Sequence, residues 1–261
     1  MNKIYDFIIV GGGTAGCVLA KRLSDKKHHV LLIEEGGKNN KLILNLPAGY
    51  SYSLKNKNYT EYYSTVNQQN INNNIIQLPR AKVIGGGSSI NGLIYSRAIK
   101  NDFISWEKAD TSWSWSQIFP YYKKFENNDS FLNEFHSQSG PVGISNISKS
   151  NIINKKFIEY CKKSNFNFLE NLNAENPYGV GYHQLFVKNG IRSSTANSYL
   201  KDTNKKYLTI LYNTLVKKII FKNKHAYKVE VINKNIKKIF QSNNEIILSA
   251  GTFNSPKILQ V

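Results

Sequence analysis

The stretch of sequence that decides the fold is Tyr5-Asp6-Phe7-Ile8-Ile9-Val10-Gly11-Gly12-Gly13-Thr14-Ala15-Gly16. Its apolar run, rich in β-branched residues and ended by glycine, is typical of a buried parallel strand. Apolar residues then recur at helical spacing from Ala15 to Asp25, and Val30 to Ile33 form a second buried strand. A strand, a helix and a strand within about thirty residues predict a βαβ unit with a right-handed crossover.

The turn between the first strand and the helix has the spacing G-x-G-x-x-G. In this pattern Gly11 permits the tight turn, Gly13 lets a pyrophosphate approach the backbone, and Gly16 allows the helix to pack closely on the strand. Thr14 and Ala15 lie at the junction of the turn and the helix, whose N-terminal N–H groups and partial positive charge attract phosphates. These five residues are predicted to bind a dinucleotide, and a chance glycine turn is the alternative.

The second strand ends at Glu34, near the separation of about 20 residues expected of a carboxylate that binds ribose hydroxyls. A carboxylate there repels a 2′-phosphate, which disfavours NADP. Glu35 is the alternative, but side chains alternate along a strand, so only one of the two faces the ligand. We predict Glu34, because it directly ends the apolar run.

A second glycine-rich segment, from Pro79 to Gly92, contains Gly86, Ser88 and Asn91. Consecutive small residues let a planar ring lie against the main chain with N–H groups directed at it, which suits the isoalloxazine of FAD. We therefore predict that Gly86, Ser88, Asn91 and Gly92 bind FAD. A flexible Gly/Ser linker is the alternative.

The remaining chain completes an α/β prediction. Residues 38–74, rich in Asn, Lys and Tyr, predict an irregular arm or lid, and helices are predicted at 106–126 and 151–164. Further strands are predicted at 208–211, 216–221, 227–232 and 245–250, and Ser255-Pro256 is typical of a helix N-cap and first turn. The predicted fold class is a Rossmann-like domain with a parallel sheet, extra β-strands and the arm, within a single domain 1–261.

Composition adds little to function. The net charge of +18 raises the alternative of a basic nucleic-acid-binding protein, but lysines scattered among Asn and Ile residues are better explained by a compositional bias. Cys17 and Cys161 form no metal or disulfide pattern, and Cys17 is predicted to be a buried structural thiol. We expect no metal, no signal peptide and no apolar run long enough to span a membrane, and hence a cytoplasmic location.

With these motifs the sequence resembles the glucose–methanol–choline oxidoreductases, and among them the choline and alcohol dehydrogenases. The most specific match is Lys82 to Tyr95, which is similar to the first family signature; Gly251 to Leu259 is similar to the start of the second. Gly251, at the start of the second match, is predicted to bind the cofactor.

The resemblance implies roles for individual residues. It implies that Val83 contacts the flavin, together with Asn91 and Gly92 and with Leu93 and Ile94, which follow them.

Two further positions carry over in the same way. Val216 matches the position whose backbone holds the adenine. Ile90 stands where some family oxidases attach FAD through a histidine, so FAD is expected to be non-covalent.

The activity that the resemblance implies is oxidation of an alcohol CH–OH group, with hydride transfer to flavin N5. The chain ends inside the second signature, so we expect the C-terminal substrate domain and its catalytic histidine to be absent. We therefore assign no catalytic residue. A non-catalytic truncated fragment, or a complementing C-terminal chain, remains an alternative expectation.

Overall fold

The computed structural model describes residues 4–147 and 150–260. Residues 1–3 and Val261 belong to the predicted domain 1–261 but lie outside the described residues. The described helices are α1 Thr14–Asp25, α2 Leu42–Asn45, α3 Tyr50–Lys55, α4 Ile104–Ala109, α5 Trp115–Phe125, α6 Ile152–Lys163 and α7 Gly251–Leu259.

The described strands are β1 Ile4–Val10, β2 Val30–Ile33, β3 Thr60–Ser64, β4 Gln77–Ala81, β5 Ile94–Tyr95, β6 Glu126–Asn128, β7 Val142–Ile144, β8 Phe168–Leu169, β9 Val180–Gly181, β10 Gln184–Leu185, β11 Val187–Lys188, β12 Ile191–Arg192, β13 Leu208–Leu211, β14 Thr214–Lys222, β15 His225–Asn233 and β16 Ile236–Leu248. The described residues fall into two compact units, one within Met1–Gly92 and Ser194–Val261 and the other within Leu93–Ser193. A single domain over 1–261 stays a prediction.

The first unit is built on a sheet whose strand order among the described residues is β13-β2-β1-β16-β15-β14. Strands β13, β2, β1 and β16 are parallel, whereas β15 and β14 add antiparallel pairs. The register aligns Leu211, Ile33, Val10 and Leu248, so the four parallel strands end at one level. Ligands of parallel α/β sheets bind at this carboxyl edge. The predicted α/β class with a parallel sheet is confirmed.

Both faces of the parallel strands are buried, as their continuous apolar sequences predict. On one face, Ile8 and Val10 pack with Val229 and Val231 of β15, so the antiparallel strands curl over that side. On the other face, Ile9 packs with residues of α1. Cys17 of α1 has no exposed surface, as expected of a structural thiol.

The predicted helix 106–126 is wrong in its continuity. It is divided into α4, a 3₁₀ turn at Thr111–Trp113, and α5. Asp110 is extended and its side chain accepts a hydrogen bond from the Ser112 amide, and Ser114 is extended as well. Short polar side chains that bond to nearby backbone favour such breaks, and they outweigh the helical spacing of the aromatic residues.

The last helix also begins earlier than predicted. Ser255 and Pro256 lie inside α7, which starts at Gly251. Gly251 has a φ of +84°, so it turns the chain directly from the end of β16 into the helix. Of the predicted strand 245–250, residues 245–248 are the end of a longer strand, β16, and Ser249 and Ala250 lie beyond it.

The predicted irregular arm, residues 38–74, is more regular than its composition indicated. It contains α2 and α3, and β3 forms an antiparallel hairpin with β4. Side-chain amides fix its first part to the same unit: Asn39 Nδ2 donates to Asn197 Oδ1 at 2.9 Å, and Asn197 Nδ2 donates to Asn45 Oδ1 at 2.7 Å. We call Asn39, Asn45 and Asn197 the amide relay.

The second unit surrounds a buried network of polar side chains. His136 is 1% exposed, and its Nδ1 lies 2.6 Å from Glu126 Oε1 while its Nε2 lies 2.7 Å from Asn171 Nδ2. Asn128 and Gln184 exchange two hydrogen bonds of 3.0 Å beside it. Both ring nitrogens of His136 are thus engaged inside the unit, and the network positions short segments that have little secondary structure of their own.

Candidate cofactor site

The glycine turn lies at the carboxyl edge of the sheet, directly after β1. Gly11 has a φ of +100°, and a Cβ built there would lie 2.5 Å from the Ser249 carbonyl oxygen. Ser249, which follows the neighbouring strand β16, contacts the turn: its Oγ donates to the Gly11 carbonyl oxygen at 2.9 Å. Position 11 therefore needs glycine for both its conformation and its contact with Ser249.

Helix α1 begins at this turn with its N-terminus open. Its N-cap, Gly13, has no side chain to cap the helix, and Thr14 and Ala15 are exposed. Gly16 is buried. A Cβ there would lie 2.0 Å from the Gly11 carbonyl oxygen, so the helix packs too closely on the turn for a side chain at this position. Uncapped N–H groups in the first helical turn form a site for an anion such as a diphosphate.

Glu34 follows β2 and faces the glycine turn. Its Oε2 accepts a hydrogen bond from the Gly12 amide at 2.8 Å, and its Oε1 accepts one from the Gly36 amide at 2.7 Å. A carboxylate oxygen accepts two hydrogen bonds, so each oxygen retains capacity for a ribose hydroxyl. Burial raises the pKa of Glu34, and the two amide hydrogen bonds partly offset that rise.

The alternative residue, Glu35, is directed elsewhere. Its Oε1 lies 2.8 Å from Lys82 Nζ, in a partly exposed ion pair. The alternation of side chains therefore places Glu34, and not Glu35, against the glycine turn.

The second glycine-rich segment lies directly on the first. The Gly85 amide donates to the Gly12 carbonyl oxygen at 2.7 Å. Gly86 has a φ of +55°, and a Cβ there would lie 2.8 Å from the Gly13 Cα atom. Val83 forms a parallel bridge with Gly37 after β2. These contacts order the segment, which argues against the flexible linker.

The other residues predicted to contact the flavin follow Gly86 in the sequence. Ser88 Oγ donates to the Gly85 carbonyl oxygen at 2.6 Å and accepts from the Thr195 amide at 3.0 Å. Asn91 and Gly92 are exposed. Leu93, with a φ of +65°, and Ile94, which is 55% exposed, begin the second unit.

The two remaining predicted residues lie at the ends of the sheet strands. Val216 is buried in β14, whose first residue, Thr214, donates its amide to the Glu34 carbonyl oxygen at 2.9 Å. Gly251 is exposed and begins α7. The adenine-binding role of Val216 and the cofactor-binding role of Gly251 stay predictions.

Sequence reasoning missed four residues that contact the glycine turn or the two carboxylates after β2: Gly12, Gly36, Lys82 and Ser249. Gly36 gave a signal, because a glycine pair after the carboxylates allows the chain to approach another backbone closely. Ser249 gave none, since its role depends on the parallel pairing of β1 with β16.

Comparison with known proteins agrees with this geometry. Residues 5–261 match the family model described as GMC oxidoreductase. The chain belongs to the GMC oxidoreductase family. The resemblance that the sequence motifs indicated is thereby confirmed, and proteins of this family bind FAD.

Two of its relatives in the GMC oxidoreductase family are alcohol-oxidising enzymes by name. The chain is 33% identical to an oxygen-dependent choline dehydrogenase of Photobacterium profundum, over 100% of the chain and 47% of that protein. It is also 33% identical to an alcohol dehydrogenase [acceptor] of Pseudomonas putida, over 99% of the chain and 48% of that protein. The chain thus spans about half the length of the curated relatives it matches.

Solved structures give the same result. A pyridoxine 4-oxidase from Mesorbium loti superposes with a TM-score of 0.92 at 28% identity, over 98% of this chain and 51% of that one. An FAD-dependent oxidoreductase from Chaetomium thermophilum superposes with a TM-score of 0.89 at 28% identity, over 98% of this chain and 47% of that one. The FAD-binding fold of the GMC oxidoreductases is therefore shared along the chain.

In residues 4–147 and 150–260, no group of three or more His, Cys, Asp or Glu side chains is arranged to hold a metal ion. None of the helices described there combines the length and the apolar character needed to cross a membrane. The cytoplasmic location stays a prediction.

Proposed function

We propose that this chain binds FAD without a covalent bond and forms the cofactor-binding part of an oxidoreductase acting on the CH–OH group of an alcohol. The observation that carries the proposal is the double use of Gly12. Its amide donates to Glu34 and its carbonyl oxygen accepts from Gly85, so one residue joins the ribose-binding carboxylate to the second glycine segment.

Each part of the site suits one part of FAD. Glu34 would accept hydrogen bonds from the adenosine ribose hydroxyls, and the backbone of β14 at Val216 would hold the adenine. The open N-terminus of α1, at Thr14 and Ala15, would bind the diphosphate. The segment from Gly86 to Gly92 would support the isoalloxazine.

The reaction class follows from the cofactor and from the names of the relatives. Bound FAD supplies a hydride acceptor at N5. Within this proposal the chain holds and orients the flavin, while the alcohol-binding groups and the proton-accepting base come from protein outside the present sequence, in the same polypeptide or in a complementing chain. Among alcohols, choline-like substrates are favoured by the relatives.

Non-covalent attachment is supported by Ile90. This side chain stands at the position where some oxidases of the family have a histidine bonded covalently to FAD. It is 4% exposed and packs in an apolar cluster with Leu44 and Val83. An alkyl group forms no bond to the flavin.

The test is to purify the chain and record its visible spectrum. We expect flavin absorbance that stays with the folded protein and passes into the supernatant after acid precipitation. If the protein is colourless, a titration of the apoprotein with FAD follows. A folded protein that neither carries nor takes up FAD contradicts the proposal, and flavin that remains in the acid precipitate contradicts non-covalent attachment.

A further inference from the structure

An ionic cluster of Lys82, Glu35 and Glu61 lies where the chain after β2 meets the second glycine-rich segment. Lys82 Nζ is 2.8 Å from Glu35 Oε1 and 3.9 Å from Glu61 Oε2. Glu35 directly follows Glu34, and Glu61 belongs to β3, whose register pairs it with Arg80 beside Lys82. One lysine thus lies between two carboxylates, one of which adjoins the residue proposed to bind the ribose.

Glu34 itself is only 8% exposed, and its two carboxylate oxygens accept hydrogen bonds from the Gly12 and Gly36 amides. The pKa of Glu34 is raised by burial, lowered by the Gly36 and Gly12 amides, raised by the charge of Glu35 and lowered by Lys82. Glu35 therefore acts against an ionised Glu34, and Lys82 acts in its favour.

The other titratable groups near this cluster come from β3 and α1. Tyr63 and Glu61 interact with Lys82 from β3, and Cys17 interacts with Glu34 from α1. Neither Tyr63 nor Cys17 ionises readily, because burial raises the pKa of the Tyr63 hydroxyl and raises that of the Cys17 thiol to about 12. In the cluster, Lys82 is therefore the cation that offsets Glu35.

The main chain at Lys82 is held independently of its ammonium group. The Lys82 amide donates to the Tyr59 carbonyl oxygen at 2.7 Å, and the Ile84 amide donates to the Gly37 carbonyl oxygen at 3.0 Å. A Cβ on Gly36 would lie 2.1 Å from the Lys82 carbonyl carbon, which shows how closely the two backbones pack. The charge can therefore be removed while the two segments stay together.

We propose that Lys82 is a positioning residue for the adenosine half of FAD: by neutralising Glu35, it leaves Glu34 as the ionised carboxylate that faces the ribose. The inference rests on the proposed FAD-binding function. It assigns Lys82 an electrostatic role without contact to the cofactor, and it assigns Glu35 the role of a charge that must be balanced.

The test measures FAD binding to the apoprotein by flavin fluorescence for K82M, K82R, E35A and K82M/E35A. We expect K82M to weaken binding roughly three- to tenfold, because the pair is partly exposed and screened by solvent. We expect the loss to be larger at about pH 6 than at about pH 8, where a carboxylate with a raised pKa is more fully ionised. K82R keeps the charge and should retain affinity, and K82M/E35A should recover most of it.

The matched control is K237M, which removes a pair of the same length, Lys237 Nζ to Glu230 Oε2 at 2.8 Å, on the antiparallel strands. It should leave FAD binding unchanged. If K82M does not fold, as judged by its melting temperature, K82Q is the second variant.

The outcomes separate the two proposals. If wild-type protein binds FAD and K82M binds equally well, or K82M/E35A is as weak as K82M, the role of Lys82 is wrong and the FAD site stands. If folded wild-type protein binds no FAD, the proposed function fails, and the role of Lys82 fails with it.

Discussion

The amide of Gly85 donates a 2.7 Å hydrogen bond to the carbonyl oxygen of Gly12. The two residues are far apart in the sequence and belong to the two glycine-rich segments, so this bond joins both segments into one site. Because Gly12 also donates to Glu34, the carboxylate, the first turn and the second segment depend on one another.

Replacement of Glu34 by glutamine should weaken FAD binding about ten- to a hundredfold, since a charged acceptor of hydroxyl hydrogen bonds is replaced by a neutral amide. The measurement is a fluorescence titration of the apoprotein with FAD. Glu245→Gln, at an exposed position of the same sheet, is the control and should bind normally. Equal affinity for Glu34→Gln would show that the ribose is held elsewhere.

Replacement of Gly86 by alanine should lower the free energy of unfolding of the apoprotein by about 1–3 kcal/mol, because its φ of +55° disfavours a side chain and the new Cβ would lie 2.8 Å from the Gly13 Cα atom. Denaturation by urea gives this value. Gly87→Ala is the matched control, because a Cβ there meets no atom within 4 Å. If both variants lose the same stability, the contact between the glycine segments is not what restricts position 86.

The raised pKa of Glu34 predicts a pH dependence of stability. In the unfolded chain Glu34 titrates near 4.5, and burial raises its pKa in the folded apoprotein. Between these two values the folded protein holds a proton that the unfolded chain has released, so a rise in pH favours unfolding. We expect the contribution of Glu34 to the free energy of unfolding to be full below about pH 4.5 and to decline as pH rises through the folded-state pKa.

Urea denaturation of the apoprotein across this range, compared with Glu34→Gln, isolates that contribution. The variant lacks the titrating group, so the difference between the two proteins should change with pH in the stated direction. A difference that stays constant, or that changes in the opposite direction, would mean that burial does not dominate the pKa of Glu34.

The amide relay predicts that the first part of the arm is fixed rather than free to open. Asn197→Ala should lower the free energy of unfolding by about 1–2 kcal/mol, because Asn39 Nδ2 loses one of its acceptors and Asn45 Oδ1 loses the hydrogen bond from Asn197. It should also increase proteolysis between residues 38 and 55. Asn244→Ala, at an exposed strand position, serves as the control. Unchanged proteolysis of Asn197→Ala would contradict this role of the relay.

The sequence was sufficient to predict the first βαβ unit closely. The strand predicted at Val30 to Ile33 has the same bounds in the structure, and the first strand and helix differ by one residue at their N-terminal ends. These elements are strongly periodic or continuously apolar, and glycine marks their junction. Local physical chemistry alone therefore determines them.

Elements that depend on distant partners could not be predicted in the same way. The curl of the sheet depends on the packing of Val229 and Val231 against β1, and the network around His136 gathers side chains from separate segments. Neither feature has a period in the sequence. The helix break at Asp110 has a local cause, the hydrogen bond from the Ser112 amide to the Asp110 side chain. It was missed because the helical spacing of the aromatic residues favoured one longer helix.

The pairing of β1 with β16 also has a consequence for how the protein is made. Ile8 pairs with Ile246, so the central strand leaves the ribosome long before its second neighbour has been translated. Until then one edge of β1 is open, and open apolar strand edges attract other chains. Ser249 reaches the glycine turn only after that pairing, so the turn takes its final form late in synthesis, and a nascent chain stalled before β16 would lack a finished site for the cofactor.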